Sequence, residues 1–407
     1  MLVLLLVSAL INYIDRTTLS VSATDIQREL HISYADIGKL HSAFFAAYAL
    51  CQLCFFAGWL VGRFHVGWVL AGGFVLWSGV TALTGLAPAF AMILVLRVLL
   101  GVGESVCFPA YSRILANEYP EHHRGFANGL IDVGTKIGPA TGVLLGGLLV
   151  AQLGWRWCFV VLGLGSLLWV WPWLRNMPRG SCATREDSSR APSIGAILTQ
   201  RSLWFMCFGQ FCANYYWYFL LTWLPAYLEK ERHFPKRKMA LFGWLPFLAI
   251  AIADVGSGWL SDWLIARGHS PTVVRKGLTG GGLALASLAA CVVAVQSDTA
   301  AMAILILACI AYGMYAPHLF AITQTISGPQ AAGKWTSFQN GFANLAGVVA
   351  PWLTGWVVDQ TGQFFWAFVL AGCFAVASAA NYVIGVGDVA PVFNPPCPDS
   401  PEHSLRA

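Results

Sequence analysis

Along the chain, apolar stretches of about twenty residues alternate with short polar breaks, the length one helix needs to cross the hydrocarbon core of a bilayer. The pattern predicts twelve spans, at 1–22, 34–60, 66–87, 89–116, 125–150, 155–174, 202–227, 239–262, 273–296, 300–327, 332–357 and 362–386. Spans 3 and 4 are parted only by Pro88 and its neighbours, and spans 5 and 6 by a turn near Gly154, so each pair must run antiparallel. The polar stretch 175–201 divides the twelve into six and six. The expected organisation is an amino-terminal bundle over 1–174, a linker over 175–201, a carboxy-terminal bundle over 202–386 and a proline-bearing, disordered tail over 387–407.

Composition agrees with this all-α polytopic membrane class. Hydrophobic residues make up 57% of the chain and charged ones 11%, with a mean hydropathy of +0.64, far too apolar for an ordinary soluble domain. The opening MLVLLLVSAL lacks a basic leader and a small-residue cleavage site and runs on through Asp15, so it reads as the first span. The 18 tryptophans and 25 phenylalanines suit interfacial belts and lipid-facing surfaces. A net charge of +5 without a contiguous basic patch does not point to nucleic acid. The eleven cysteines are scattered, and Cys51 and Cys54, a CxxC on an apolar helix, read as packing. No nucleophile elbow, phosphate loop or HExxH spacing suggests an enzyme, and no cofactor or metal is implied.

Placing both termini inside assigns twelve lysines and arginines to cytoplasmic segments and eight to the outside, in line with the positive-inside bias. The counterweight is the cluster Lys230, Arg232, Lys236, Arg237 and Lys238 between spans 7 and 8. The halves also repeat: GWLVGR at Gly58 to Arg63, after span 2, matches GWLSD at Gly258 to Asp262, after span 8. Asn128-Gly129 precedes Pro139 by eleven residues, as Asn340-Gly341 precedes Pro351.

Charges inside the spans are costly, about 2.5 to 3.5 kcal/mol each on insertion scales, and usually face a bundle interior. The sequence offers Asp15, Arg16, Arg97, Glu104, Asp132 and Lys136, three of each sign, so the interior is expected to be neutral. Arg97 and Glu104 are seven residues apart on one helix, roughly 20° short of two full turns and on the order of 10 Å apart. They share a face and cannot pair. Asp15 is expected to pair with Arg97 and to release it on protonation, while Arg16, pointing about 100° away, either meets Glu104 or snorkels. Asp132 and Lys136, four apart, either satisfy each other or serve a ligand. An anion added to this set needs a proton on Asp15 or Glu104, so anion and proton would favour each other's binding. His318, after Pro317, reads as a packing residue at a kink.

These residues resemble the major facilitator superfamily, whose two six-helix halves are related by an axis along the membrane normal, and within it the anion:cation symporter family of sugar-acid transporters (D-galactonate and glucarate types). The resemblance rests on NYIDR (12–16), RxxxGxxExxxFP (97–109), PExxRG (120–125), NYYWYFLLTWLPAYL (214–228) and the long stretch 321–362. It implies proton-coupling roles for Asp15 and Glu104. It implies substrate binding by Arg97, Arg16, Tyr13, Tyr48 and Thr135 with Lys136, by the amide cluster Gln339, Asn340 and Asn344, and by Asn214 and Tyr215. The superfamily's loop motif supplies a gate at Gly58, Arg63, Gly258, Asp262 and Arg267. Gly62 stands where that motif expects an acid, which shifts the expected lock towards Asp262 and Arg267.

The resulting expectation is a monomeric inner-membrane symporter that imports a small organic anion with protons, by alternating access. Gly134, Gly138, Pro139 and Gly142 also resemble an antiporter motif, which keeps a proton-coupled drug or metabolite exporter as the alternative.

Overall fold

The computed structural model describes residues 1–32, 34–178, 192–233 and 245–393. Eight helical runs are long and apolar enough to cross a membrane, nine when the bent pair Asp36–Leu53 and Phe56–Arg63 is taken as one span. Two of the runs, Glu121–Asn176 and Asp298–Val358, are 56 and 61 residues long, too long for one crossing. Each reverses at a glycine with left-handed backbone, Gly154 (φ 81°) and Gly328 (φ 68°). Cys158 Sγ lies 3.7 Å from Gly146 O, and Thr323 Oγ1 bonds Gln339 Oε1 at 2.9 Å. Twelve and sixteen residues of straight helix would hold those atoms roughly 18 and 24 Å apart. With the helix Arg201–Lys230, the described residues thus hold a helix for each of the twelve predicted spans, that of span 8 from Leu245 onward, since 239–244 fall outside them.

Several spans are broken. Span 2 bends by 55° at Phe55, and span 4 is interrupted between Glu104 and Cys107, at the glutamate singled out above. Span 9 passes from Pro271–Ala286 into a 3-10 segment, Ser287–Ala294. A short helix, Ile194–Leu198, capped by Ser193 Oγ, lies in the linker, while residues 179–191 fall outside the described residues. So do Lys236, Arg237 and Lys238 of the loop cluster and residues 394–407 of the tail. The tail's start departs from expectation: Val389 N bonds Thr272 Oγ1, Val392 N bonds Ile326 O, and the Phe393 ring meets Trp335. Backbone donors and an apolar anchor hold this segment through residue 393.

Within a bilayer, apolar surface alone does not favour one helix pairing over another, so close approach at small residues decides packing. Span 5 lies on span 1 through Gly134 against Leu6 and Leu10, Gly138 against Tyr13, and Gly142 against Ile14 and Thr17. The two halves touch the same way on the side that carries the linker. Gly125 meets Gly258 backbone to backbone, Gly129 meets Asp254 O, and a Cβ on Gly58 would stand 2.6 Å from Lys334 Cα. On the opposite side, Glu29 accepts from Trp155 Nε1 (2.6 Å) and Arg156 Nε (2.8 Å), within one half. Those hydrogen bonds hold its carboxyl below the usual range.

Candidate functional site

Between the halves lies a chamber of about 340 Å³, lined by residues that include Tyr13, Arg16, His41, Arg97, Trp217 and Tyr218. It continues into a recess of about 60 Å³ bounded by Tyr48, Asp132, Thr135, Lys136, Asn214, Asn340 and Asn344. The chamber falls within the roughly 300–1,000 Å³ range of small-molecule sites.

Glu104 is fully buried and its Oε2 accepts from Arg16 Nε at 2.8 Å, a pair between spans 1 and 4. The Arg16 guanidinium is wrapped by aromatic faces, 4.7 Å from the Tyr13 ring centre, 4.9 Å from Tyr48 and 5.2 Å from Phe44. Delocalised charge on a planar group stacks readily on such faces. Arg97, 4% exposed, turns into the chamber with its guanidinium 5.5 Å from the Phe159 ring and its Nε without a hydrogen-bond partner. The expected Asp15–Arg97 pair is not formed. Both Asp15 oxygens lack a hydrogen-bond partner, because Arg97 leans over Phe159 towards the chamber while Asp15 stays packed 1% exposed behind it. Their coupling acts through space, with Glu104 as the third member.

On the recess wall, Lys136 Nζ stands 3.3 Å from Asp132 Oδ2 and 4.1 Å above the Trp217 ring centre, while Thr135 Oγ1 donates to Asp132 Oδ1 at 2.8 Å. Asn340 forms the floor, donating from Nδ2 to Tyr48 OH (3.0 Å) and Gln52 Oε1 (2.9 Å) and accepting from Gln210 Nε2 (3.3 Å). Gln339 is turned away from the recess, accepting from Thr323 Oγ1 and donating to Gln210 Oε1. Asn344 accepts from Tyr218 OH at 3.0 Å, and Asn214 donates to Ala343 O. Tyr215 must be withdrawn as a ligand. It is fully buried in the carboxy-terminal half, stacked 3.9 Å on Phe374 with its hydroxyl against Thr354 Oγ1, and Tyr218, three positions on, faces the chamber instead. Trp217 and Tyr218, two of the aromatic run 215–218 that covers all sides of a helical turn, line the chamber, while Gln52 and Gln210, bonded to Asn340, are not among the expected site residues, although polar side chains within apolar spans 2 and 7 are a signal for both.

The joint where the loop motif leads us to expect a gate is partly built from other residues. Gly58 lets span 2 approach span 11, its N–H donating to Ser337 Oγ at 3.3 Å, and Gly258 does the same for spans 5 and 8. Asp262 accepts from the amides of Gly125 (3.0 Å) and Phe126 (2.7 Å), capping the helix start of span 5. Arg267 does not join it, being exposed and stacked on Trp263 at 3.6 Å, and Arg63 is exposed as well. The cation across this joint is Arg275, which pairs with Glu121 and bonds Thr325 Oγ1 at 3.0 Å. Where Gly62 withholds a carboxylate, Arg113 Nη1 donates to Val61 O at 2.9 Å, and Thr336 bonds Ser112 at 2.8 Å.

The expected balance of three charges of each sign also needs correction. Asp254, in the apolar run LAIAIADVGSG of span 8, is fully buried beside the recess, so carboxyl groups around the site outnumber cations by one. The cost of a charge inside a span marks it out as it does the other six. His318 is buried with both ring nitrogens unpartnered, on an element whose Pro317 packs against the position of Gly129.

Comparison with known proteins adds three findings. The family model of the Major Facilitator Superfamily matches residues 5–334. A Bacillus subtilis (strain 168) protein named as a probable galactarate/D-glucarate transporter is 29% identical, the alignment covering 97% of this chain and 93% of the relative. One from Cupriavidus necator, named as a probable sulfoacetate transporter, is 30% identical over 97% of this chain and 93% of its own length. Among solved structures, the Escherichia coli fucose:proton symporter superposes with a TM-score of 0.73 at 15% identity, covering 94% of this chain and 97% of that one, a likeness of fold.

Proposed function

The chain belongs to the major facilitator superfamily, and from that premise we propose that it imports a small organic anion, a sugar acid first of all, together with protons. The membrane is the cell's inner membrane in this reading, with the linker side and both termini in the cytoplasm. The protein is a transporter and not an enzyme.

The observation that carries the proposal is the convergence of Arg16, Arg97 and Lys136 on one cavity, with Asp15 and Glu104 buried immediately behind two of them. An arriving carboxylate competes with Glu104 for Arg16, and a proton on Glu104 resolves that competition in the ligand's favour. Arg97 can present a planar fork to a carboxylate, and Lys136 a point charge in the recess. Asn344, Tyr13 and Tyr218 surround the space in which hydroxyl groups would lie. The names of the relatives, an aldarate carrier and a carrier of a short sulfonated acid, support an anion of this size and sign.

The test uses proteoliposomes and a panel of D-glucarate, galactarate, D-galactonate and sulfoacetate. A substrate should alkalinise the outer medium as it enters, and this should collapse in Glu104→Gln and in Asp15→Asn. Full coupled uptake in both variants would sink the proposal. Proton-driven extrusion of hydrophobic compounds, with indifference to every acid, would favour the exporter.

A further inference from the structure

We propose that Asp254 and Asp132 form a second proton-binding site, one that holds a shared proton while the halves are closed on the linker side and loses it when they part. The inference rests on the alternating-access reading above but concerns residues outside the Arg16–Glu104–Asp15–Arg97 group.

Asp254 sits on span 8 and Asp132 on span 5, on opposite halves of the molecule. Gly129, one turn before Asp132 on span 5, packs directly on the Asp254 backbone, which sets the two carboxyls on the same seam. Asp254 is fully buried and neither of its oxygens has a protein donor among the described residues. The groups facing it are few. Asp132 and Lys136 come from span 5 and Tyr312 from span 10, and Lys136 is already placed on Asp132 at 3.3 Å and over Trp217. No cation is therefore left for Asp254 in this cluster.

Two ionised carboxylates side by side in a buried site repel each other strongly, and such pairs keep one proton between them. With Asp254 protonated, its O–H donates to Asp132, and Asp132 remains the negative partner of Lys136. The cluster is then neutral, and the surplus carboxyl around the cavity is accounted for.

The joint makes this proton sensitive to conformation. At this level the halves meet with a Cβ position on Gly129 only 2.7 Å from Asp254 O, and one turn lower Gly125 meets Gly258. Any rocking that separates span 5 from span 8 pulls the two carboxyls apart and admits water from the linker side. Asp254 then loses its acceptor, and its proton leaves to that side. Asp132 lines the recess, so on reclosure a proton from the chamber reaches Asp254 through it. One proton per cycle moves from the chamber side to the linker side.

The experiment has two arms on the full-length protein. In proteoliposomes carrying D-glucarate or whichever acid of the panel is transported, the proton-to-anion ratio is measured for the parent and for Asp254→Asn, which keeps a donor for Asp132. The expected result is a ratio lower by one proton, with anion exchange retained; an unchanged ratio overturns the proposal. Infrared difference spectroscopy on detergent-purified protein reads the carboxyl C=O band without any substrate. The band should be lost in Asp254→Asn and also in Gly58→Leu, whose bulk holds the linker side open. Persistence of the band in either variant overturns the shared proton or its dependence on closure. If the parent moves no protons with any acid, the proposed symport fails, while the infrared arm still decides whether this site holds a proton.

Discussion

Glu104→Gln should tighten anion binding while abolishing uphill uptake. In the parent, Glu104 Oε2 holds Arg16 Nε at 2.8 Å inside the fold, so a ligand carboxylate must displace it to take the guanidinium. Removing one partner of a buried pair outright costs about 3–5 kcal/mol, but glutamine keeps the volume and one acceptor. What is lost is the difference between a charge-assisted bond of about 1.5–3 kcal/mol and a neutral one of about 0.5–1.5, in round terms about 1–1.5 kcal/mol. The same quantity is the competition relieved when an anion arrives, so its Kd should fall roughly five- to tenfold. The parent should bind more tightly as pH drops, because protonated Glu104 behaves as glutamine does, and by linkage the anion equally favours the proton. The variant should show that tight binding with its pH dependence strongly reduced. Calorimetric titration with D-glucarate or a better acid at two pH values, alongside uptake and exchange in proteoliposomes, measures all three quantities. Weaker binding with the parent's pH dependence intact would refute the competition between ligand and Glu104.

Three further substitutions test the geometry. Gly58→Leu inserts a side chain whose Cβ would lie 2.6 Å from Lys334 Cα and 3.0 Å from Ser337 Cβ; at about 1–3 kcal/mol of overpacking it should favour the linker-side-open form, read as increased thiol labelling of a cysteine introduced at Ser112, which is buried against Thr336 in the closed joint. Tyr215→Phe removes a hydroxyl bonded to Thr354 within one half and should leave transport affinity near the parent's, whereas Tyr218→Phe, which loses a chamber-facing hydroxyl on Asn344, should weaken the apparent affinity for a hydroxylated acid severalfold.

Much of the architecture was legible because a bilayer imposes length and polarity on each element. The break near Gly154 and the one between 327 and 332 were readable as polar or glycine interruptions, and both became reversals with positive φ. The central charges were legible for the same reason: their cost inside a span demands an interior location, and Arg97 and Glu104 are 4% and 0% exposed. Pairing was not legible. Adjacent residues Asp15 and Arg16 diverge, and only tertiary packing decides that Arg16 reaches Glu104 while Asp15 is left behind Arg97. The aromatic run 215–218 covers every side of a helical turn, so the choice of Tyr218 over Tyr215 depended on where Phe374 lay. Arg275 and Glu121 sit at span ends and read as ordinary loop charges, yet they meet across the joint between the halves.

The floor of the recess suggests how ligand binding reaches the gate. A ligand shifts a two-state equilibrium only by as much as it binds the two states differently, so the groups that hold the halves together must overlap with those it touches. They do. Asn340 and Tyr48, both bounding the recess, bond each other across the halves at 3.0 Å, and Asn340 also bonds Gln52. Gln52 O accepts from Ser337 Oγ at 3.0 Å, and Ser337 Oγ in turn accepts from the Gly58 amide at the seal. A hydroxylated anion that takes over the Tyr48 or Asn340 hydrogen bonds removes the first link of this series, while the Gly58 and Gly258 approaches gain nothing from its presence. In the proposed reading, binding would therefore weaken the closed joint selectively, at the point where the two halves and the ligand compete for the same hydrogen-bonding groups.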